Sequence, residues 1–297
     1  MTTSIDRRSF TTGLAFAGSA LAAGTVALTA AADAAAAAGG AVGGAVGAFD
    51  DAALEAPANL HRVYRRLRFA ADERIVFWWM KGRRYGFVDT VLTPFFDMQV
   101  GSMHRCRDLG DGRWELRTAS AMYHTDIRSG ALLEDWPNPV TGKTVRFDYP
   151  APTSSTLVYT YADGVQDAAA PPGVKLDRQH FLGPLERVGD EAWLREEGWL
   201  NLTYPNGRGQ RVHDMYTFSA PLAALRAAKP GFVPATVHFN DYNGWSPRFQ
   251  MGDAPGASVS RCSGRKVASV DELPASFLQI ARRVHAAAYA DPARTLG

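Results

Sequence analysis

The sequence has very little cysteine: Cys106 and Cys262 are the only two among 297 residues. A dense disulfide framework is therefore excluded. A cysteine zinc site is also disfavoured, because no second pair of ligands lies at a recognisable spacing. The two residues could form one disulfide between distant parts of the chain, or remain as two buried free thiols. The sequence leaves these alternatives open.

The chain also lacks an excess of charge of either sign, since its formal net charge is +2. The one small group of basic residues comprises Arg62, Arg65, Arg66 and Arg68. We interpret this group as the exposed face of a short helix. A near-neutral balance without a larger basic patch argues against a nucleic-acid-binding protein.

Several nucleotide-binding and catalytic motifs are missing. No Gly-x-Gly-x-x-Gly segment opens a dinucleotide-binding unit, and neither a Gly-x-Ser-x-Gly elbow nor a His-Glu-x-x-His segment occurs. We therefore predict no organic cofactor. A metal ion held by His124, His213 and His238 is an open alternative, because imidazoles are common metal ligands but no spacing requires one here.

Residues 1–38 resemble a twin-arginine signal peptide. Arg7 and Arg8 precede Phe10, and an uncharged run follows from residue 11 to residue 32. Glycines and threonines make that run only weakly apolar, which favours a signal peptide over a membrane span. We expect residues 39–48 to be a Gly/Ala linker. The leader predicts export by the twin-arginine translocation machinery to a periplasmic or secreted location, with no stable membrane span after processing.

Residues 49–297 are predicted to form a single β-rich domain. Runs of β-branched and aromatic residues over 74–81, 155–161 and 210–218 are typical of strands. The apolar stripe over 274–289 predicts a C-terminal helix. Many strands and few helices indicate a mainly β fold, all-β or α+β. Our prediction is an antiparallel barrel-like domain with flanking helices.

Several motifs together resemble a known family. They are Trp78-Trp79-Met80-Lys81-Gly82, Tyr123-His124-Thr125-Asp126, the segment from Trp136 to Lys143, Gly244-Trp245, and Ser263-Gly264-Arg265-Lys266-Val267. In this combination the chain is similar to the bacterial and fungal family known as domain of unknown function 1838. The resemblance covers roughly residues 60–285 and implies no particular activity.

His124 and Asp126 are the leading candidates for chemistry. Alternate residues of a strand share a face, so the face that begins with Trp114 would end in an imidazole and a carboxylate. His124 would then act as a general acid or base, oriented by Asp126. The alternative is a half-buried histidine that hydrogen-bonds the hairpin tip, with Asp126 capping the turn.

Asp214 and Tyr216 form a second candidate pair, because they share a face of another predicted strand. They would assist the acid/base chemistry from the wall of an apolar cavity. We predict that the following residues line this substrate pocket: Trp79, Trp114, Met122, Trp199, His213, His238 and Trp245.

The sequence therefore favours an exported enzyme without an organic cofactor. It would perform lyase or isomerase chemistry on a small aromatic or terpenoid-like compound. A non-catalytic binding protein for a small apolar ligand is the first alternative, and a structural or interaction protein with a filled core is the second.

Overall fold

A computed structural model describes residues 51–161, 164–168, 174–205, 207–227 and 231–297. The predicted signal peptide and linker lie outside these residues. None of the helices in the described ranges has the length and apolar character of a membrane span.

Eleven antiparallel strands form one sheet that curls into a half-barrel. The order across the sheet is β7-β6-β3-β2-β1-β13-β12-β11-β10-β8, and β9 pairs with β10 beside β8. A separate hairpin is formed by β4 and β5. The strands are β1 Val76–Val88, β2 Val91–Gly110, β3 Arg113–Thr125, β4 Asp135–Pro137, β5 Thr144–Arg146, β6 Ser155–Thr160, β7 Gly164–Ala168, β8 Lys175–Leu182, β9 Glu186–Val188, β10 Glu191–Thr203, β11 Gly209–Pro221, β12 Thr236–Gly244 and β13 Ala257–Val267.

In the described ranges, six short α-helices accompany the sheet. They are α1 Asp51–Glu55, α2 Leu60–Arg68, α3 Leu222–Arg226, α4 Ala275–Val284, α5 Ala286–Ala290 and α6 Pro292–Leu296. Helix α2 packs on the concave face through Val63, Tyr64 and Leu67. Helices α4–α6 pack on the convex face, where Phe277 and Tyr289 meet side chains of β1–β3. The predicted mainly β, barrel-like fold with flanking helices is therefore confirmed.

The predicted C-terminal helix is divided at His285. The Tyr123 hydroxyl donates to His285 Nδ1 at 2.8 Å, and His285 Nε2 donates to the Tyr149 carbonyl at 2.9 Å. Both ring nitrogens are thus bonded to the sheet and to the loop after β5. The backbone at His285 leaves helical geometry, and α4 ends there.

The arginines of α2 correct one prediction, because three of the four are buried rather than exposed. Arg65 and Arg66 are each only 1% exposed. Arg65 donates to the Tyr161 hydroxyl at 2.6 Å, and Arg66 donates to the Leu225 carbonyl at 2.7 Å. A buried guanidinium is tolerated when acceptors surround it, and here those acceptors come from segments far away in the sequence.

The segment from Trp136 to Lys143 packs over the Phe96 end of β2. Its Asn138 is buried and donates to the Phe249 carbonyl at 2.9 Å, while Asn138 Oδ1 accepts from the Val140 amide at 2.9 Å. The hairpin tip therefore closes over an aromatic cluster. We call this the tip cluster, and its buried members are Phe95, Phe96, Trp136, Val145, Phe147, Phe249 and Met251.

The cysteine alternatives are resolved by the structure. Cys106 lies in β2 and Cys262 in β13, and both are buried free thiols. Burial raises the pKa of each thiol to about 12, so neither is a reactive thiolate at neutral pH.

Candidate functional site

A small cavity lies on the concave face, beside the last residue of helix α2. Its volume is about 20 Å³, which is room for roughly one water molecule. Strands β2 and β11 are separated in the sheet order by β1, β13 and β12, so the curl of the sheet is what brings them to one cavity. The lining consists of four polar and four apolar side chains: Arg68, Ser102, His104, Tyr216, Trp78, Met80, Phe218 and Val237.

A buried ionic network adjoins the cavity. The Arg68 guanidinium pairs with both carboxylate oxygens of Glu196. Oε1 of Glu196 also accepts from the Tyr64 hydroxyl at 3.0 Å and from His180 Nε2 at 3.1 Å. Burial raises the pKa of the Glu196 carboxyl, but Arg68 and His180 outweigh this effect and hold it below its ordinary value. The pair is therefore an ionised salt bridge inside the protein.

His104 supplies a neutral imidazole to the cavity. Its ring packs against Phe69, with centroids 5.3 Å apart, and within the described residues its Nδ1 has no hydrogen-bond partner. Burial, with the charges of Arg68 and Lys266, lowers the pKa of His104 to about 3. A buried polar atom without a partner costs stability. This nitrogen is therefore the clearest candidate for contact with a ligand.

Lys266 fixes the end of α2 over the cavity. Its Nζ donates to the carbonyl oxygens of Arg66 at 2.9 Å, of Leu67 at 2.7 Å and of Phe69 at 2.7 Å. Helix C-termini leave such carbonyls unpaired and attract cations. Lys266 thereby holds Arg68 in place. This role was not predicted from the sequence. It could have been suspected because Lys266 and the apolar Cys262 are four residues apart in one strand and therefore lie on the same face.

Asp214 and Tyr216 share the concave face of β11, and Tyr216 lines the cavity. Asp214 lies opposite Asp241 in the β11–β12 register, and Arg84 pairs with Asp241 at 3.1 Å. In the part of the chain that the structure describes, Asp214 Oδ1 has no partner. Burial, and then the charge of Asp241, raise the pKa of Asp214 well above its ordinary value. Both effects favour the protonated form of this buried carboxyl.

The structure does not form the predicted pair of His124 and Asp126. Strand β3 ends at Thr125, and Asp126 lies in the following turn. Its Oδ1 accepts from the Ser129 amide at 2.7 Å and from the Ser129 hydroxyl at 2.8 Å, so it caps the turn. His124 is buried between the rings of Phe96 and Phe147, each with its centroid 4.4 Å away. The turn cap agrees with the alternative, but His124 is fully buried rather than half-buried, and among the described residues its Nδ1 has no hydrogen-bond partner.

The predicted pocket residues do not line one pocket. Trp114 and Met122 face the concave side, where Trp114 stacks on Tyr159 at a centroid distance of 4.0 Å. Trp245 packs against Phe95 of the tip cluster. The remaining four lie on the convex face: Trp79, Trp199, His213 and His238.

Strand parity explains most of this error. The run around Trp78 and Trp79 is apolar on both faces, so it does not indicate which indole points inward. In the structure Trp78 lines the cavity, whereas Trp79 packs under the C-terminal helices. The three histidines of the proposed metal alternative are separated in the same way. Among the described residues, no group of three or more His, Cys, Asp or Glu side chains is placed to hold a metal ion.

Comparisons with known proteins add little. No family model matches the chain, and no curated protein matches it. The resemblance to domain of unknown function 1838 therefore stays a prediction. Among solved structures, the crystal structure of Rv2717c from M. tuberculosis is similar over 63% of this chain and 90% of that chain, at 12% identity and a TM-score of 0.27. At that TM-score the similarity supports no argument about function.

Proposed function

We propose that the protein binds a small ligand on the concave face of the half-barrel, with one polar group of the ligand placed in the central cavity. The observation that carries this proposal is the buried Nδ1 of His104, which has no partner among the described residues and belongs to a side chain that lines the cavity with three other polar and four apolar side chains. A few polar groups in an apolar cavity are the usual composition of a small-molecule site. This is the non-catalytic alternative raised from the sequence.

The neighbouring ionic network supports a binding role. Replacing a buried salt bridge by apolar side chains is often neutral or stabilising, so Arg68 and Glu196 are not needed for a stable core. Perturbed ionisable groups concentrate at functional sites. Their position beside the cavity therefore favours a site that recognises a ligand over a region that only fills the interior.

The polar lining indicates the chemical class of the ligand. Ser102 Oγ accepts from Ser120 Oγ at 2.9 Å, which leaves the Ser102 hydroxyl hydrogen to donate into the cavity. The neutral imidazole of His104 can donate or accept at Nδ1, depending on its tautomer. The Arg68 guanidinium in the lining disfavours a ligand amine. An uncharged oxygen group, a hydroxyl or a carbonyl, fits these constraints.

The apolar lining indicates the body of the ligand. Trp78, Met80 and Phe218 surround the cavity, and its volume of about 20 Å³ accepts only the polar group as the side chains now stand. The rest of the ligand must displace neighbouring side chains. Met80 is the most adaptable of these, because methionine has an unbranched chain with three rotatable bonds.

Three probes that differ only in their polar group test this proposal: benzyl alcohol, benzylamine and toluene. We expect benzyl alcohol to quench tryptophan fluorescence saturably and to bind more tightly than the other two. Loss of one neutral hydrogen bond costs about 0.5–1.5 kcal/mol, so His104→Phe should weaken alcohol binding by roughly 2- to 12-fold. His238→Phe, on the convex face, is the matched control. Equal binding of the three probes, or unchanged alcohol binding in His104→Phe, would contradict the proposal.

One observation favours catalysis at the same place as a second candidate function. Asp214 shares the concave face of β11 with Tyr216, and the raised pKa of its buried carboxyl favours the protonated form, which can donate a hydrogen bond or a proton. Asp214 and Tyr216 would then serve lyase or isomerase chemistry on a bound aromatic alcohol or carbonyl compound. For a compound that the binding assay identifies, Asp214→Asn should abolish turnover and preserve binding. Unchanged turnover would exclude Asp214.

The location of the protein is also a proposal. The paired Arg7 and Arg8 before a weakly apolar run support export by the twin-arginine route. Replacing both by lysine should leave the protein in the cytoplasmic fraction of its host. Unchanged export of that variant would refute this route.

A further inference from the structure

The convex face of the sheet carries an exposed row of aromatic rings. Trp199 of β10 lies opposite His213 of β11, and His213 lies opposite Tyr242 of β12. Trp199 is 45% exposed and Tyr242 is 49% exposed. We call these three residues the aromatic row. The row and the central cavity lie on opposite faces of the sheet, so a ligand of the row is independent of a ligand in the cavity.

The row is held in place by its own contacts. The rings of Trp199 and His213 are stacked, with centroids 3.6 Å apart and planes 17° apart. His213 Nε2 lies 3.2 Å from Glu197 Oε2, which fixes the imidazole from its other side. Tyr242 is supported by the edge of Phe87, at a centroid distance of 6.3 Å. An exposed indole that is already oriented loses little conformational freedom when a ligand binds.

Polar and charged side chains surround the rings. Three polar side chains lie on the same face, each two residues before a member of the row. Glu197 precedes Trp199 in β10, Arg211 precedes His213 in β11, and Asn240 precedes Tyr242 in β12. All three are exposed or half-exposed. Cores of protein interfaces are depleted of charged residues, because removing charges from water is costly. A dry protein partner or an apolar membrane surface is therefore a poor match for this face.

A carbohydrate is a good match, because its chemistry alternates in the same way. The C–H faces of a sugar ring are apolar and pack on aromatic rings, while its hydroxyl groups bond to carboxylates and amides that stay in water. Neighbouring strands are about 4.8 Å apart, so Trp199 and Tyr242 are separated by roughly 10 Å. That distance allows two sugar rings of one chain to contact the two aromatic residues separately.

We propose that the aromatic row is a binding site for a neutral polysaccharide. One sugar packs on the side of Trp199 that faces away from His213, and another packs on Tyr242. The Glu197 carboxylate accepts hydrogen bonds from sugar hydroxyl groups, and the Asn240 amide accepts or donates them. The occupant is uncharged, so binding is insensitive to salt.

Affinity electrophoresis tests the proposal, with the full chain run through gels that contain hydroxyethyl cellulose, xylan or glycogen. We expect retardation by at least one of these polymers, and at least a fivefold loss of affinity in Trp199→Ala and in Tyr242→Ala. The matched control is Trp193→Ala, since Trp193 is 37% exposed on the same strand but outside the row. All three changes are on the surface, and unchanged thermal unfolding will show that the variants are folded.

Several outcomes would overturn the proposal. These are no retardation by any of the three polymers, an equal loss in Trp193→Ala, or loss of retardation in 0.5 M NaCl. Sedimentation velocity distinguishes another occupant of the row. Self-association that Trp199→Ala abolishes, without polymer binding, would assign the row to a second copy of the chain.

Discussion

The buried pair of Arg68 and Glu196 gives the sharpest quantitative prediction. In Glu196→Gln the Arg68 guanidinium remains buried without a counter-ion, because helix α2 and the sheet enclose it. Breaking a buried pair in this way costs about 3–5 kcal/mol. For a domain of this size each kcal/mol lowers the melting temperature by about 2–4 °C. The variant should therefore unfold at a temperature lower by roughly 6–20 °C.

The double replacement Arg68→Met with Glu196→Leu should recover much of that loss. Apolar side chains of similar volume remove both charges from the interior. The Tyr64 hydroxyl and the His180 imidazole then lose the acceptor that they share, which costs about 1–3 kcal/mol of the free energy of unfolding. Urea unfolding of the four proteins of this cycle, followed by circular dichroism, gives the coupling energy. We expect at least 2 kcal/mol of coupling, by the usual cost of an unpaired buried charge. Additive effects of the two single replacements would refute the buried salt bridge.

Three further predictions concern buried groups. The pKa of His104 is lowered to about 3, so below about pH 6.5 the folded state binds fewer protons than the unfolded state. The free energy of unfolding should therefore fall by up to about 1.4 kcal/mol for each unit by which the pH decreases. In His104→Phe this pH dependence, measured by urea unfolding, should be weaker. The pKa of Asp214 is raised, so the folded state keeps a proton that the unfolded state loses above pH 3.8. The free energy of unfolding should therefore fall as the pH rises from 3.8. Asp214→Asn should remove this pH dependence and raise the melting temperature at pH 7. An unchanged pH dependence in the variant would exclude a buried acid at this position. His124→Ala should lower the free energy of unfolding by about 2–4 kcal/mol, because it empties a space between aromatic rings. His124→Phe should cost less than about 1.5 kcal/mol, because its ring fills that space. A negligible effect of His124→Ala would show that His124 is not packed in the tip cluster.

The general architecture could be predicted from the sequence because it depends on local periodicity. Alternation placed Asp214 and Tyr216 on one face, and the structure has both on the concave side of β11. The strand-forming run over 210–218 likewise predicted a strand, which the structure has as β11.

The candidate site could not be predicted in the same way, because it depends on contacts between distant segments. The arginines of α2 looked like a solvated face, and their burial requires partners such as Glu196, 128 residues away from Arg68. Ser102 and His104 lie at alternate positions of one strand, but no motif in the sequence links them to Tyr216. Only the curl of the sheet brings them to the same cavity as Tyr216.

The most direct test of ligand binding in the cavity is the nitrogen NMR spectrum of the His104 imidazole, assigned by comparison with His104→Phe. We predict that the Nδ1 resonance shifts saturably when benzyl alcohol is added at neutral pH and stays in place when benzylamine is added. A resonance that is insensitive to the alcohol at concentrations that saturate the fluorescence change would show that the ligand group does not enter this cavity.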